Sequence, residues 1–199
     1  MLQEKMLING QWVDSSSGAV LSVRNPADNE VFATVPSCSV EEVDAAVAAA
    51  DAAFKTWSKT TPFHRGKILR EASRLILANS EAIARLMTQE QGKPLKEASG
   101  EVVKGAQILQ YYAEEGERVF GRIIANEDGN DIESHVIYQP VGVAACISPW
   151  NYPIELLAWK VGAALATGCT VVLKVPSETP LCAIAFVRTM LTAGIPDGV

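Results

Sequence analysis

Apolar and polar residues change their period several times along the chain, and each change marks a different kind of structure. Up to residue 36 the apolar positions come in short runs broken by turn formers. Met6 to Asn9 and Gln11 to Val13 flank Asn9-Gly10, which signals a hairpin. Ser15 to Gly18 and Asn25-Pro26 mark two more turns, and Val31 to Val35 has the composition of a strand. From Ser39 the period lengthens to that of a helix. Ser39 is placed to cap it, and Glu41 and Glu42 suit its first turn. Val43, Ala46, Val47, Ala50 and Phe54 recur at helical spacing, so the pattern predicts an amphipathic helix over 40–57 with these residues inward. Pro62 opens a second helix with Ile68, Leu69, Ala72, Leu75 and Ile76 inward. Ser80 caps a third, which ends near Gly92-Lys93-Pro94. A fourth runs from about Lys96 to Phe120 and stops at Gly121.

Residues 122–140 change character. Asp128-Gly129-Asn130 predicts a hairpin turn between Ile123 and the run Ser134 to Tyr138, and Pro140 ends the segment. From Val141 the pattern is α/β. The near-continuous apolar run from Gly142 to Ser148 predicts a buried strand. Ile154 to Thr167 reads as a helix closed by Gly168 in a left-handed cap. Thr170 to Leu173 is a second strand, and Leu181 to Ala193 a second helix before Gly194. Strand, helix, strand, helix with short loops implies parallel strands joined by a right-handed crossover. Three regions are therefore expected: 1–121, strands and helices; 122–140, a β-hairpin; 141–199, the start of a parallel β/α unit. The chain stops in a turn after the last helix, where a third strand would follow. Two parallel strands alone leave both edges open, so the expectation is a truncated sheet.

Composition narrows the function classes. The 199 residues are 48% hydrophobic and 20% charged, enough apolar material for one sizeable core. Seventeen Lys/Arg against 23 Asp/Glu give a net charge of -6, with no basic cluster, so no nucleic-acid or membrane partner is expected. No apolar run approaches a membrane span and no secretory signal follows Met1, so a cytoplasmic protein is expected. The cysteines, Cys38, Cys146, Cys169 and Cys182, form no CxxC pair and have no histidine at metal-ligand spacing. Buried free thiols are expected at Cys146 and Cys169, and no metal site.

No G-x-G-x-x-G and no P-loop occurs. Open α/β sheets bind ligands outside the carboxyl ends of their strands, and two loops lie there: Ser148 to Pro153, and Lys174 to Pro180. Both are polar and stiffened by proline. On this pattern alone they are either binding loops or plain turns.

The sequence of those loops, Pro149-Trp150-Asn151-Tyr152-Pro153, followed by Trp159-Lys160, Gly168, Thr170 to Lys174 and Thr179-Pro180, resembles the aldehyde dehydrogenase superfamily. The resemblance extends over nearly the whole chain. It includes Ile8-Asn9-Gly10-Gln11-Trp12, Asn25-Pro26, Phe54-x-x-Trp57, Arg65, Glu90-x-Gly92-Lys93-Pro94 and Gly194-Ile195-Pro196. Tyr112-Ala113-Glu114-Glu115-Gly116 through Gly121 points toward the succinate-semialdehyde dehydrogenase group. It implies an incomplete aldehyde-dehydrogenase fold: N-terminal strands and helices, a hairpin of the oligomerisation region, then a truncated dinucleotide-binding domain. The family oxidises an aldehyde to a carboxylate with NAD or NADP. A cysteine thiolate attacks the carbonyl, hydride passes to the nicotinamide, and a glutamate helps water to hydrolyse the thioester.

The resemblance makes Asn151 the side-chain amide that donates to the developing oxyanion. It makes Lys174 a ligand of the adenosine ribose, and Ile147, Ser148, Pro149 and Trp150 further contacts to the dinucleotide. The family's nucleophile, general base and later glycine-rich turn have no counterpart among these residues, so the chain alone is expected to be inactive. Two positions depart from the pattern. Aligned without gaps, Ser177 stands where a glutamate often holds both ribose hydroxyls; a gapped alignment returns that role to Glu178. Glu155 stands where an apolar or small side chain usually lies near the aldehyde tunnel. A homo-oligomer acting on a small aldehyde, a semialdehyde among the candidates, is expected of the full-length protein. The alternative is a stand-alone nucleotide-binding or regulatory module that pairs with a full-length dehydrogenase.

Overall fold

The computed structural model describes residues 1–125 and 132–199. The turn expected at Asp128-Gly129-Asn130 lies outside the described residues. Short strands come first: β1 (Leu2–Gln3), β2 (Met6–Ile8), β3 (Gln11–Val13), β4 (Val20–Arg24) and β5 (Val31–Pro36). β2 and β3 form the expected hairpin, with Ile8 opposite Gln11. Asn9 (φ 48°) and Gly10 (φ 75°) carry the two left-handed positions its turn demands. β5 runs between β1, parallel to it, and β4, antiparallel to it.

Four helices follow: α1 (Val40–Trp57), α2 (Pro62–Ala78), α3 (Ser80–Gln91) and α4 (Leu95–Glu115). α1 begins in a capping box. Ser39 Oγ accepts from the Glu42 amide at 3.3 Å, and the Glu42 carboxylate accepts from the Ser39 amide at 2.7 Å. The inward face of α1 differs from the one its valines predict. Val43 and Val47 are exposed, whereas Ala50 and Trp57 are buried. The small alanine face lets the helix backbone come close enough for Thr170 Oγ1 to donate to the Ala50 carbonyl at 2.9 Å, an approach that valine side chains would block. α2 buries Ile68, Leu69, Ala72 and Ile76 as expected. Ser80 is the first residue of α3 and not its cap. Asn79 holds that position, and its amide donates to Thr189 Oγ1 at 3.2 Å. The fourth helix ends earlier than its pattern suggests: a 3-10 turn at Gly116–Arg118 tightens its end, and Val119 and Phe120 lie outside it.

β6 (Arg122–Ile124) and β7 (Ser134–Val136) pair antiparallel. The β/α unit comprises β8 (Val143–Ile147), α5 (Glu155–Thr167), β9 (Thr170–Lys174) and α6 (Pro180–Leu191). β8 and β9 are parallel, in register from Val143↔Thr170 to Ile147↔Lys174. Gly168 takes the left-handed cap at φ 92°. β8 is less buried than its apolar run predicts: Cys146 faces the core, while Ala145 and Ile147 are exposed.

One core joins the helices to this unit. It holds Trp57, Leu69, Ile76, Ile83, Met87, Leu109, Leu157 and Phe186, among others. Close helix contact requires glycine at one crossing in particular. A Cβ on Gly105 of α4 would lie 2.6 Å from Ile154 Cγ2 and 3.2 Å from Phe186 Cε2. Arg65 is buried without a carboxylate partner among the described residues. Its Nε donates to the Ala166 carbonyl at 2.9 Å, near the C-terminus of α5, where a cation suits the helix dipole. No helix among the described residues is long and apolar enough to cross a membrane.

Candidate functional site

The register of β8 against β9 sets the ends of both strands side by side, and the Ser148 amide extends the ladder by donating to the Lys174 carbonyl at 3.2 Å. The two polar loops therefore leave one edge together. Thr179 Oγ1, itself buried, reaches across to the Trp150 carbonyl at 3.5 Å. Asn151 is exposed at the turn into α5. Among the described residues its side-chain amide has no hydrogen-bond partner, whereas its backbone carbonyl has two donors. Ile147 and Trp150 expose 64% and 56% of their surface on the same edge. Pro149 is exposed as well. Ser148 is buried, and its hydroxyl turns inward to donate to the Pro153 carbonyl at 3.3 Å; only its backbone faces the edge. Lys174 Nζ donates to Ser177 Oγ at 3.4 Å, so these two expected residues stand together. Ser177 and Glu178 both line a groove of about 440 Å³, with Ser22, Arg24 and Glu90 on its other walls.

What holds the loops comes from the end of α3 and the start of α4. Gln91 Nε2 donates to the carbonyls of Trp150 (2.7 Å) and Asn151 (3.0 Å). Lys93 Nζ donates to the Asn151 carbonyl at 3.0 Å and lies 4.2 Å from the centre of the Tyr152 ring. The same ammonium is paired with Glu101, whose side chain is 2% exposed. The second oxygen of Glu101 accepts from the amides of Ile154 (2.9 Å) and Glu155 (3.3 Å), the first turn of α5. Glu90 does the same for α6, accepting from the amides of Leu181 (2.7 Å) and Cys182 (2.8 Å). Burial pushes the Glu90 carboxyl up to about 7, against these amide bonds, which favour its ionised form. The polar atoms Thr88 Oγ1 and Gln91 Oε1 are buried nearby on α3 with no partner among the described residues.

Sequence reasoning placed Asn151, Lys174 and Ser177 but assigned no role to Glu90, Gln91, Lys93 or Glu101. A signal existed. Glu101 falls on the face of α4 that also carries Ala98, Val102 and Leu109, all buried. A carboxylate on an apolar face must be paired or hydrogen-bonded.

The cysteines lack the surroundings of a nucleophile. Cys146, Cys169 and Cys182 are buried, as expected of the first two, and Cys38 is exposed; all four are free. Burial raises the thiol pKa of Cys38 and Cys146, and raises that of Cys182 well above its ordinary value. A reactive cysteine needs the opposite shift.

Parallel strands with polar loops at their carboxyl ends make this a β/α unit with its loops where open α/β sheets bind ligands. Comparison with known proteins gives the family. The profile described as "Aldehyde dehydrogenase family" matches residues 12–199, and the chain belongs to that family. It is 45% identical over 198 residues to the mitochondrial succinate-semialdehyde dehydrogenase of Arabidopsis thaliana, covering 100% of this chain and 37% of that protein. It is 42% identical over 199 residues to the succinate-semialdehyde dehydrogenase [NADP(+)] of Escherichia coli (strain K12), covering 100% of this chain and 41% of that protein. A crystal structure of an E. coli NADP-dependent enzyme superposes with a TM-score of 0.97 at 42% identity, again over 100% of this chain and 41% of the other. The chain thus spans about two fifths of the length of these relatives, and its fold is the N-terminal part of theirs.

Proposed function

We propose that these residues form the cofactor-binding and oxyanion-stabilising part of an NAD(P)-dependent dehydrogenase that oxidises a small aldehyde, a semialdehyde by its relatives, to a carboxylate. The observation that carries this reading is Asn151. Its amide is exposed at the end of β8, while its own backbone is held from below by Gln91 and Lys93. A neutral amide donates at any pH and needs no reorganisation when negative charge appears on a carbonyl oxygen, which is the requirement for stabilising a tetrahedral oxyanion.

The edge suits a dinucleotide. Lys174 and Ser177 offer an ammonium and a hydroxyl next to each other, and Ile147 and Trp150 offer exposed apolar surface. When bound, the nicotinamide supplies the hydride acceptor. The chain's own share is to hold the ribose and phosphate oxygens at Lys174 and Ser177, to pack against the dinucleotide along residues 147–150, and to present the Asn151 amide to the aldehyde oxygen. Ser177 in place of a carboxylate removes a charge that would repel the 2′-phosphate of NADP, so NADP is accepted, in preference to NAD. No buried cysteine described above serves as nucleophile, so residues 1–199 alone turn over no aldehyde.

The test is Asn151→Ala in the full-length protein that carries this chain. Losing one oxyanion donor removes ~2.7–4 kcal/mol of transition-state stabilisation, a fall of about 10²–10³-fold in the acylation rate, with cofactor affinity little changed. Unaltered acylation kinetics would take Asn151 out of the reaction.

A further inference from the structure

An oxyanion donor works only if its amide is held at a fixed place and angle, and Asn151 sits in a loop whose side chains 149 to 152 are all exposed. Its rigidity must come through its backbone. Two grips are present. Upstream, the carbonyls of Trp150 and Asn151 are held by Gln91 Nε2, and the Asn151 carbonyl also by Lys93 Nζ. Downstream, the amides of Ile154 and Glu155 are held by Glu101 Oε1. The two grips are one unit, because Lys93 and Glu101 are themselves paired, with side chains 12% and 2% exposed.

We propose that Lys93, locked by Glu101, is a positioning residue for the Asn151 side-chain amide. This rests on the reading of Asn151 as the oxyanion donor. The Asn151 carbonyl belongs to the peptide plane that leaves its Cα, so a donor fixed to that oxygen sets ψ of Asn151. Glu101 fixes the chain three residues later, where it enters α5. Between the two grips only Tyr152 and Pro153 are left. The ring of Tyr152 lies against the same ammonium, and φ of Pro153 is fixed by its own ring. Glu101 plays a double part. Its charge keeps the Lys93 ammonium in a site of little solvent access, and its other oxygen ties that ammonium to the start of the helix. Gln91 supports the same carbonyls from the neighbouring turn but carries no charge and has no link to Glu101. The unit therefore has a directional logic: Lys93 acts on the aldehyde only through Asn151.

That logic separates positioning from general structural support. In the full-length protein the acylation rate and the cofactor affinity are measured for wild type, Lys93→Met, Lys93→Arg, Asn151→Ala and the double variant Lys93→Met/Asn151→Ala. Displacing a reacting group by about 1 Å lowers a rate by roughly 10²-fold. Lys93→Met is expected to slow acylation by an amount of that order and to leave cofactor affinity within about twofold of wild type. Lys93→Arg, which keeps a cation and its donors, recovers most of the loss. In the Asn151→Ala background Lys93→Met has no further effect on acylation, because the group it positions is gone. An equal fall in both backgrounds, or a parallel loss of cofactor affinity, overturns the proposal. If Lys93→Met does not fold, Gln91→Leu, which removes the other donor to the Asn151 carbonyl, is put through the same cycle with the same expectation. A wild type inactive toward every aldehyde overturns the aldehyde reading itself. Hydrogen exchange then still decides the geometric claim: the amides of Ile154 and Glu155 are expected to exchange faster in the Lys93 variant, and unchanged exchange shows that Lys93 does not fix this segment.

Discussion

Replacing Glu90 by glutamine tests the balance between burial and hydrogen bonding at the start of α6. The carboxylate is 4% exposed and bonded to two backbone amides, and its pKa is raised from 4.5 to about 7. In the unfolded chain the group ionises near 4.5. Between about 4.5 and 7 the folded protein therefore binds more protons than the unfolded one, and stability falls as pH rises through that window, then levels off. The shift is about 2.5 units, and at 1.36 kcal/mol per unit it removes about 3 kcal/mol from wild type between the two limits. Glutamine is neutral throughout and loses nothing in this window. It does turn one –NH2 toward an amide that Glu90 satisfied, which costs ~1–3 kcal/mol for an unpaired buried donor. Urea unfolding of both proteins at pH 5, 6, 7 and 8 reads the difference. The variant is expected to be the less stable protein at pH 5, with the gap closing by about 2.5 kcal/mol by pH 8, and the order inverting if the unpaired donor costs less than that. A gap independent of pH would show that Glu90 ionises at its ordinary pKa. A gap that widens with pH would show that the two amide bonds outweigh burial and that the direction argued here is wrong.

Three further expectations follow from other parts of the molecule. Ser177→Glu in the full-length protein sets a carboxylate beside the expected 2′-phosphate; at roughly 4 kcal/mol for unit charges 4 Å apart at an effective dielectric near 20, the NADP to NAD ratio of kcat/KM falls by about 10²–10³-fold. An unchanged ratio assigns the ribose to Glu178 instead. Gly105→Ala places a methyl 2.6 Å from Ile154 Cγ2 and is expected to lower stability by ~1–3 kcal/mol, the usual cost of overpacking, read as a lower Tm; an unchanged Tm means that α4 and α5 can move apart. Ser39→Ala breaks one half of the α1 capping box and costs ~1 kcal/mol in urea unfolding, while Ser39→Gly, which keeps a tolerated cap residue, costs only a few tenths.

The elements were legible in the sequence where local chemistry decides them. Asn9-Gly10, Ser39, Pro62 and Gly168 each act within a few residues, and the structure puts a turn, a cap, a first helical residue and a left-handed terminus at those places. Burial was less legible because it depends on what lies opposite. Val43 and Val47 fit a helical stripe, yet α1 turns the face with Ala50 inward, since the backbone of Ala50 meets Thr170, 120 residues further along. The run from 142 to 148 is apolar enough for a strand covered on both faces, but exposure of Ala145 and Ile147 depends on how many neighbours the sheet has. The site divides in the same way. Asn151 and Lys174 stand out in the sequence through the family resemblance of the loops that follow the two parallel strands, and the roles proposed for them rest on it. The side chains that hold the Asn151 loop, Lys93 and Glu101, lie some fifty residues upstream and carry no periodic mark except, at Glu101, a charge on an apolar face.

Those supports also bear on how a dinucleotide is held. In many β/α nucleotide folds the first amides of the helix after the strand bind the pyrophosphate, helped by the helix dipole and by glycines that let the backbone approach. Here the amides opening both helices are already bonded to protein carboxylates: Ile154 and Glu155 of α5 to Glu101, and Leu181 and Cys182 of α6 to Glu90. A phosphate on either helix would have to displace a buried carboxylate or lie beside it, and like charges in a poorly solvated site repel strongly. Helix N-termini elsewhere used for an anionic ligand are used in this chain to bolt α5 to α4, through Glu101, and α6 to α3, through Glu90. On the function proposed above, sugar and phosphate contacts fall to exposed groups such as Lys174 and Ser177 on the strand-end loops. This arrangement gives the segment from Glu90 to Lys93 control of both loops at once, through Glu90 at the second and through Gln91 and Lys93 at the first. Within that short turn the two grips are separate side chains: a change at Lys93 is expected to disturb the loop at Asn151 and to leave the second loop in place, whereas a change at Glu90 acts on the start of α6.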